Sequence, residues 1–200
     1  LFAAVPGLHV HGAKFAAGAL ANGAVAVATD REGERIIRTQ MQCVPPLLIV
    51  EDIAPRLGEI AAQVYGRPAD RLTSFAITGT NGKTTTAFML DDILNKIGRR
   101  TGLIGTVAVR LAGEEVPAAL TTPMPADLQR VLADLITRGG TDLVMEASSH
   151  ALAQGRTDPL RFSVAGFTNL TQDHLDFHHT LEEYFEAKAS LFTPARCEKA

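Results

Sequence analysis

The sequence predicts an α/β protein: a small α/β unit followed by a P-loop-type, mostly parallel sheet flanked by helices. Three observations carry this expectation. From Phe75 onward, short apolar runs of strand length alternate with longer segments of helical period, the pattern of a parallel sheet with crossover helices. "FAITGTNGKTTT" (75–86) reads as strand, glycine-containing turn and helix start. The polar candidates Gly79 to Thr84, Glu146 and Asn169 to His174 each follow a predicted strand, where ligands gather in such sheets.

In chain order, "LFAAV" is strand-like and "GAKFAAGALANG" is an Ala-rich helix ending at Gly23. "AVAVA" and "LLIV" are buried strands, and "APRLGEIAAQVYG" is a helix with Leu57, Ile60, Ala61 and Val64 at helical spacing. The polar "RPADRLTS" (67–74) reads as a linker, which places the domain boundary at 70/71. "FAIT" is a strand, and 83–97 is a helix with Leu90, Ile93, Leu94 and Ile97 inward, ended by Gly98. "TGLIGTVAV" is a second strand region, and "ADLQRVLADLITRG" a helix with Leu128, Val131, Leu132 and Leu135 on one face. "DLVMEAS" and "SVAGFTNL" are buried strands, and "TLEEYFEAKASLF" is the last helix.

With 200 residues, 46% of them hydrophobic, the chain can bury a sizeable core. A formal net charge of -3 argues against a nucleic-acid binder. Cys43 and Cys197 form no paired motif, which fits a reducing compartment. No apolar run reaches membrane-span length, and no signal peptide opens the chain. The opening "LFAAVPG" and the closing "LFTPARCEKA" lead to the expectation of a piece of a longer, cytoplasmic, monomeric protein.

"GTNGKTTT" ends like a phosphate-binding loop, although Ile77 stands where the common pattern has its first glycine. Gly79 and Gly82 let backbone approach phosphate oxygens, and a helix N-terminus supplies free N–H groups. Lys83 is then a point charge for the β- and γ-phosphates, and Thr84 a Mg²⁺ ligand. The competing reading is an ordinary glycine-rich turn with an exposed lysine.

This loop resembles the ATP loop of the Mur ligase family. "LTTP" (120–123), "MEASSHAL" (145–152), "FTNLTQDHLDFH" (167–178) and "YFEAKASLF" (184–192) follow in the same order as in that family. "LFAAVPGLHVHGAKF" resembles its N-terminal UDP-binding domain. The resemblance implies a UDP-substrate-binding domain at 1–70, an ATP-binding domain at 71–200, and a C-terminal amino-acid-binding domain not included in this chain. Gly79, Thr80, Asn81, Gly82, Lys83, Thr84, Thr85 and Asn169 are then the ATP contacts. Thr121, Thr122, Ser148, Arg156 and His9 are the contacts to a UDP-N-acetylmuramoyl dipeptide.

Glu146 closes the apolar strand "DLVM", a costly place for a carboxylate without a partner. Read alone it is a strand-end acid in water; the resemblance makes it a Mg²⁺ ligand. His174 and His178 stand at i, i+4, but Leu175 occupies the position of the glutamate a zinc hydrolase needs. The resemblance assigns His174 to a second Mg²⁺ and leaves His178 and His179 without a role. Lys188 falls inside the stripe Leu181, Tyr184, Phe185, Leu191, Phe192. Such a lysine normally snorkels to water. Held inside, its pKa falls and the neutral amine can react with CO₂. The family carries a carbamylated lysine in this setting, which implies that Lys188 carbamate is a Mg²⁺ ligand beside Thr84, Glu146 and His174.

The implied catalytic set is Lys83, Glu146, His174 and Lys188, with ATP and Mg²⁺ as cofactors. The implied reaction joins the third amino acid of the peptidoglycan stem, meso-diaminopimelate, to the dipeptide through an acyl phosphate. Alternatives are another family member such as a folylpolyglutamate synthetase, a P-loop kinase or GTPase, and a non-catalytic nucleotide-binding fragment. "SSHAL…R" weighs against the first, and the Lys188 stripe against the second. The isolated chain is expected not to turn over. Ala147, and Thr171-Gln172 in place of Ser-Arg, are departures from the usual family text.

Overall fold

The computed structural model describes residues 1–7, 9–116 and 121–200. Leu8, in the opening match, and Leu120, in "LTTP", lie outside the described residues. The chain divides into two compact units, Leu1–Ile60 and Ala61–Ala200.

The first unit holds three parallel strands in the order β1-β2-β3: β1 (Phe2–Ala4), β2 (Val27–Thr29) and β3 (Leu47–Ile49). A 3₁₀ turn at Gly12–Phe15 leads into α1 (Ala16–Ala21). Helix α2 (Arg31–Gln40) lies between β2 and β3 and is absent from the elements read in the sequence. Its charge-rich text hides the helical period, yet its start signal is present, because the Asp30 carboxylate accepts from the Gly33 N–H at 2.8 Å. Ile37 is its buried anchor, packed with Ala4, Ala13, Ala16 and Val27. Helix α3 (Ile53–Val64) runs from the first unit into the second. Along it Val64, expected inward, is 56% exposed, and Ala62 is buried instead.

The second unit is built on a seven-stranded sheet of order β10-β9-β4-β8-β5-β6-β7. Its strands are β4 (Thr73–Thr78), β5 (Thr101–Ile104), β6 (Val109–Leu111), β7 (Glu114–Val116), β8 (Asp142–Glu146), β9 (Phe162–Phe167) and β10 (Cys197–Lys199). The helices are α4 (Lys83–Lys96), α5 (Pro125–Thr137), α6 (Ser149–Ala153), α7 (Leu175–His178) and α8 (Leu181–Ala189). "TGLIGTVAV" does not form a single strand. It reverses after Ile104, so β6 and β7 extend the parallel sheet as an antiparallel edge. "RPADRLTS" is only in part a connector, since a 3₁₀ turn occupies Pro68–Arg71, Leu72 joins the core, and β4 begins at Thr73.

Strand alternation sorts the core into two layers. Leu143 and Met145 of β8 pack with Leu128, Leu132 and Leu135 of α5 on one face. Val144 faces the other way, with Ile77, Leu103, Ala87 and Leu94. Helix α4 therefore rests on the sheet through Ala87, Asp91 and Leu94. Ile93 and Ile97, expected inward, are 55% and 70% exposed. The correction has a physical source: Asp91 is held inside by the Thr101 hydroxyl and Asn95, which rotates the helix away from its more apolar face. In α8, Tyr184 and Lys188 are buried while Leu181 and Phe185 are exposed, so the inner stripe is narrower than its spacing suggests. Among the described residues no helix is long and apolar enough to cross a membrane.

Candidate active site

The turn between β4 and α4 needs its glycines. Gly79 has φ 138° and Gly82 φ 84°, conformations that side chains disfavour. A Cβ on Gly79 would also lie 2.0 Å from Thr168 Oγ1. The helix ladder opens with Thr86 N–H donating to Gly82 O, so the earlier amides of the turn stand outside it. Gly79→Ala is expected to destabilise the chain by about 1–3 kcal/mol. Thermal unfolding reads this loss.

The segment after β9 braces this loop. Thr80 N–H donates to Asn169 O at 2.8 Å. Asn81 N–H donates to Asn169 Oδ1, and Asn169 Nδ2 donates back to Asn81 O, both at 3.0 Å. Thr171 also joins, with its N–H on Thr80 Oγ1 at 2.9 Å and its hydroxyl accepting from Asn81 Nδ2 at 3.3 Å. Thr85 is exposed on the first turn of α4.

Glu146 is fully buried at the end of β8, on the same strand face as Val144 and therefore on the α4 side. Its carboxylate accepts from Thr84 Oγ1 at 2.9 Å, from Thr106 N–H at 2.9 Å and from Thr106 Oγ1 at 3.1 Å. The Glu146 carbonyl accepts from Thr122 Oγ1 at 3.0 Å. Gly105 makes room for this acid, since a Cβ there would lie 2.4 Å from Glu146 Oε1.

Two lysines meet at one carbonyl. Lys83 Nζ donates to Gly79 O at 3.0 Å and to Thr80 O at 2.8 Å. Lys188 Nζ donates to the same Gly79 O at 2.8 Å. Lys188 does not snorkel: it is 1% exposed, and its ammonium lies 4.3 Å from the Tyr184 ring centroid. Burial, helped by the charge of Lys83, lowers its pKa to about 8. Burial also lowers the pKa of Lys83, against the opposing pull of Glu146 and Asp173.

His174 and His178 stand in different surroundings. His174 has φ 52° and a side chain 45% exposed, whereas His178 is 5% exposed. The His150 ring contacts both, with centroids at 4.8 Å from His174 and 5.6 Å from His178, and Phe177 lies against it at 4.2 Å. Burial holds the pKa of His150 and of His178 below the ordinary imidazole value. Among the described residues there is no group of three or more His, Cys, Asp or Glu arranged to hold a metal.

Next to Glu146, Ser148 caps α6, accepting from Ala151 N–H at 3.2 Å. Arg156 Nη1 donates to Thr122 O at 3.0 Å, and Gln154 Oε1 accepts from both Arg156 Nε and Nη2. Thr121 is half-buried beside Thr122. His9 is exposed in the first unit. Thr106, His150, Gln154 and Tyr184 were not singled out by sequence reasoning. Thr106 and Tyr184 give no local signal, since their partners lie 40 and 104 residues away. His150 sat in plain view within "SSHAL".

A parallel sheet, a glycine-turned loop entering a helix, and a buried acid and lysine beside it define a nucleotide-binding α/β class. Family comparisons narrow this. The Mur ligase middle domain matches residues 77–199, and the description "Mur ligase family, catalytic domain" matches residues 1–65. The chain belongs to the Mur ligase family. It is 50% identical over 192 residues to the UDP-N-acetylmuramoyl-L-alanyl-D-glutamate–2,6-diaminopimelate ligase of Corynebacterium efficiens, covering 96% of this chain and 36% of that protein. The ligase of the same name from Streptomyces avermitilis is 47% identical over 197 residues, covering 98% of this chain and 38% of that protein. A solved structure of a ligase of that name superposes with TM-score 0.72 at 32% identity, covering 98% of this chain and 39% of that one. The chain thus spans less than two-fifths of the length of these relatives.

Proposed function

We propose that the protein carrying this chain is a cytoplasmic, ATP-dependent amide ligase. It adds meso-diaminopimelate to UDP-N-acetylmuramoyl-L-Ala-D-Glu in peptidoglycan synthesis. The observation that carries this reading is Lys188, buried in α8 with its Nζ on the carbonyl of Gly79 in the phosphate loop. A phosphate loop alone is shared by many nucleotide enzymes; a buried lysine of lowered pKa against it suits a carbamate. Residues 1–70 are proposed to form the UDP-substrate domain, with His9 a contact, and residues 71–200 the ATP domain.

In the proposed reaction a γ-carboxylate oxygen of the dipeptide attacks the γ-phosphorus of ATP. The bond from that phosphorus to the ADP oxygen breaks, leaving an acyl phosphate. The amine of the incoming amino acid attacks the acyl carbon, phosphate leaves, and the amine loses a proton. The difficulty is to bring carboxylate and triphosphate together, and the chain's part is charge and position. Loop amides from Gly82 to Thr85, on a turn whose Thr80 and Asn81 amides are held by Asn169, receive the phosphates, and Lys83 moves from its carbonyls onto them. Thr121, Thr122, Ser148 and Arg156 orient the peptide, with Gln154 holding the guanidinium flat.

Mg²⁺ fits the donors present. Thr84 hydroxyl and Glu146 carboxylate are hard oxygens already in contact, and a site with few protein ligands suits a cation that shares phosphate and water. Thr84 and Glu146 are the residues proposed to hold one Mg²⁺ and His174 a second, with the Lys188 carbamate as a further anionic ligand. When bound, Mg²⁺ neutralises charge on the phosphates and the attacking carboxylate. The test uses full-length protein with ATP and UDP-N-acetylmuramoyl-L-Ala-D-Glu, offered meso-diaminopimelate or L-lysine. Phosphate release with the first alone is expected; no release with either overturns the proposal.

A further inference from the structure

We infer that Tyr184 is a positioning residue for the phosphate loop, acting through Thr80. Tyr184 is 1% exposed, and its hydroxyl donates to Thr80 Oγ1 at 3.2 Å across 104 residues of sequence. Thr80 Oγ1 also accepts from Thr171 N–H at 2.9 Å and donates to Thr171 O at 3.1 Å. A hydroxyl has one proton and two acceptor sites, so these three bonds use it fully. Thr80 is thereby fixed between α8 and the segment after β9.

The same tyrosine reaches the preceding loop residue by its ring. Lys188 Nζ lies 4.3 Å from the ring centroid and donates to Gly79 O. One side chain therefore bears on two consecutive residues of the loop, directly through Thr80 Oγ1 and by packing against the Lys188 Nζ that donates to Gly79 O. A phenylalanine would fill the same volume, so the oxygen is what distinguishes loop bracing from core packing.

The affinity part of the inference rests on the proposed use of the loop for ATP phosphates. The test compares Tyr184→Phe, Thr80→Val and the double variant of this chain. Amide exchange at Thr80 and Thr171 is followed without ligand, ADP affinity is measured with Mg²⁺, and thermal unfolding serves as control. Tyr184→Phe is expected to speed Thr171 exchange and to weaken ADP binding, each about fivefold, the worth of one neutral hydrogen bond. In the Thr80→Val background the same change should add nothing to the ADP loss. Unchanged exchange, unchanged affinity in a wild type that binds ADP, or losses that simply add would overturn the inference. Faster exchange in this chain, together with no ADP binding by the full-length wild type, would support the brace and overturn the ATP reading instead.

Discussion

Lys188→Met is expected to stabilise the fold while abolishing amide synthesis. The lysine is 1% exposed and its pKa is lowered from 10.5 to about 8. Between those two values the unfolded chain holds a proton that the folded chain does not, so stability rises with pH. The span corresponds to about 3 kcal/mol at about 1.4 kcal/mol per unit. Below pH 8 both states are protonated and the full penalty of the buried ammonium remains. Methionine removes that penalty. Urea unfolding at pH 7 and pH 10 should therefore show a wild type that gains with pH relative to the variant, and a variant that is the more stable of the two at pH 7. Equal stability at pH 7 would mean that the ammonium is well solvated or well paired. In full-length enzyme the same variant should lose on the order of a thousandfold in turnover, because the proposed carbamate no longer exists to hold Mg²⁺.

The second large effect is expected at Glu146. Glu146→Gln keeps the volume of the side chain and its reach to Thr84 and Thr106 while deleting the charge. Mg²⁺ should strengthen ATP binding to the wild-type chain and leave the variant's affinity nearly unchanged, a difference on the order of a hundredfold. Calorimetric titration with and without Mg²⁺ decides the matter. A variant that responds to Mg²⁺ as the wild type does would remove Glu146 from the proposed metal site.

Much of this was legible because the relevant signals are local. Gly79, Gly82 and Lys83 declare a turn and a helix start, and Glu146 stands out as an acid ending an apolar strand. Lys188 stands out as a cation inside an apolar stripe. The strands β4, β5, β8 and β9 were readable for the same reason, each containing a short apolar run, whereas β7 (Glu-Glu-Val) and β10 (Cys-Glu-Lys) carry no such run and were not read. Other features depend on partners that sequence does not display. Helix α2 is announced only by the cap at Asp30, because its own text is mostly charged. The rotation of α4 follows from Asp91 finding Thr101 and Asn95, which no count of apolar residues anticipates. The link from Tyr184 to Thr80 joins residues 104 apart.

The contacts of Lys83 have a consequence for how the loop receives an anion. Its ammonium rests on two neutral carbonyls, Gly79 O and Thr80 O, rather than on a carboxylate. An ion pair would have to be broken before the lysine could serve a phosphate, whereas carbonyls surrender it at lower cost. The cation is thus kept close to the loop, half-buried, on carbonyl partners. In the proposed function, a phosphate reaching this ammonium would exchange a neutral partner for a charged one.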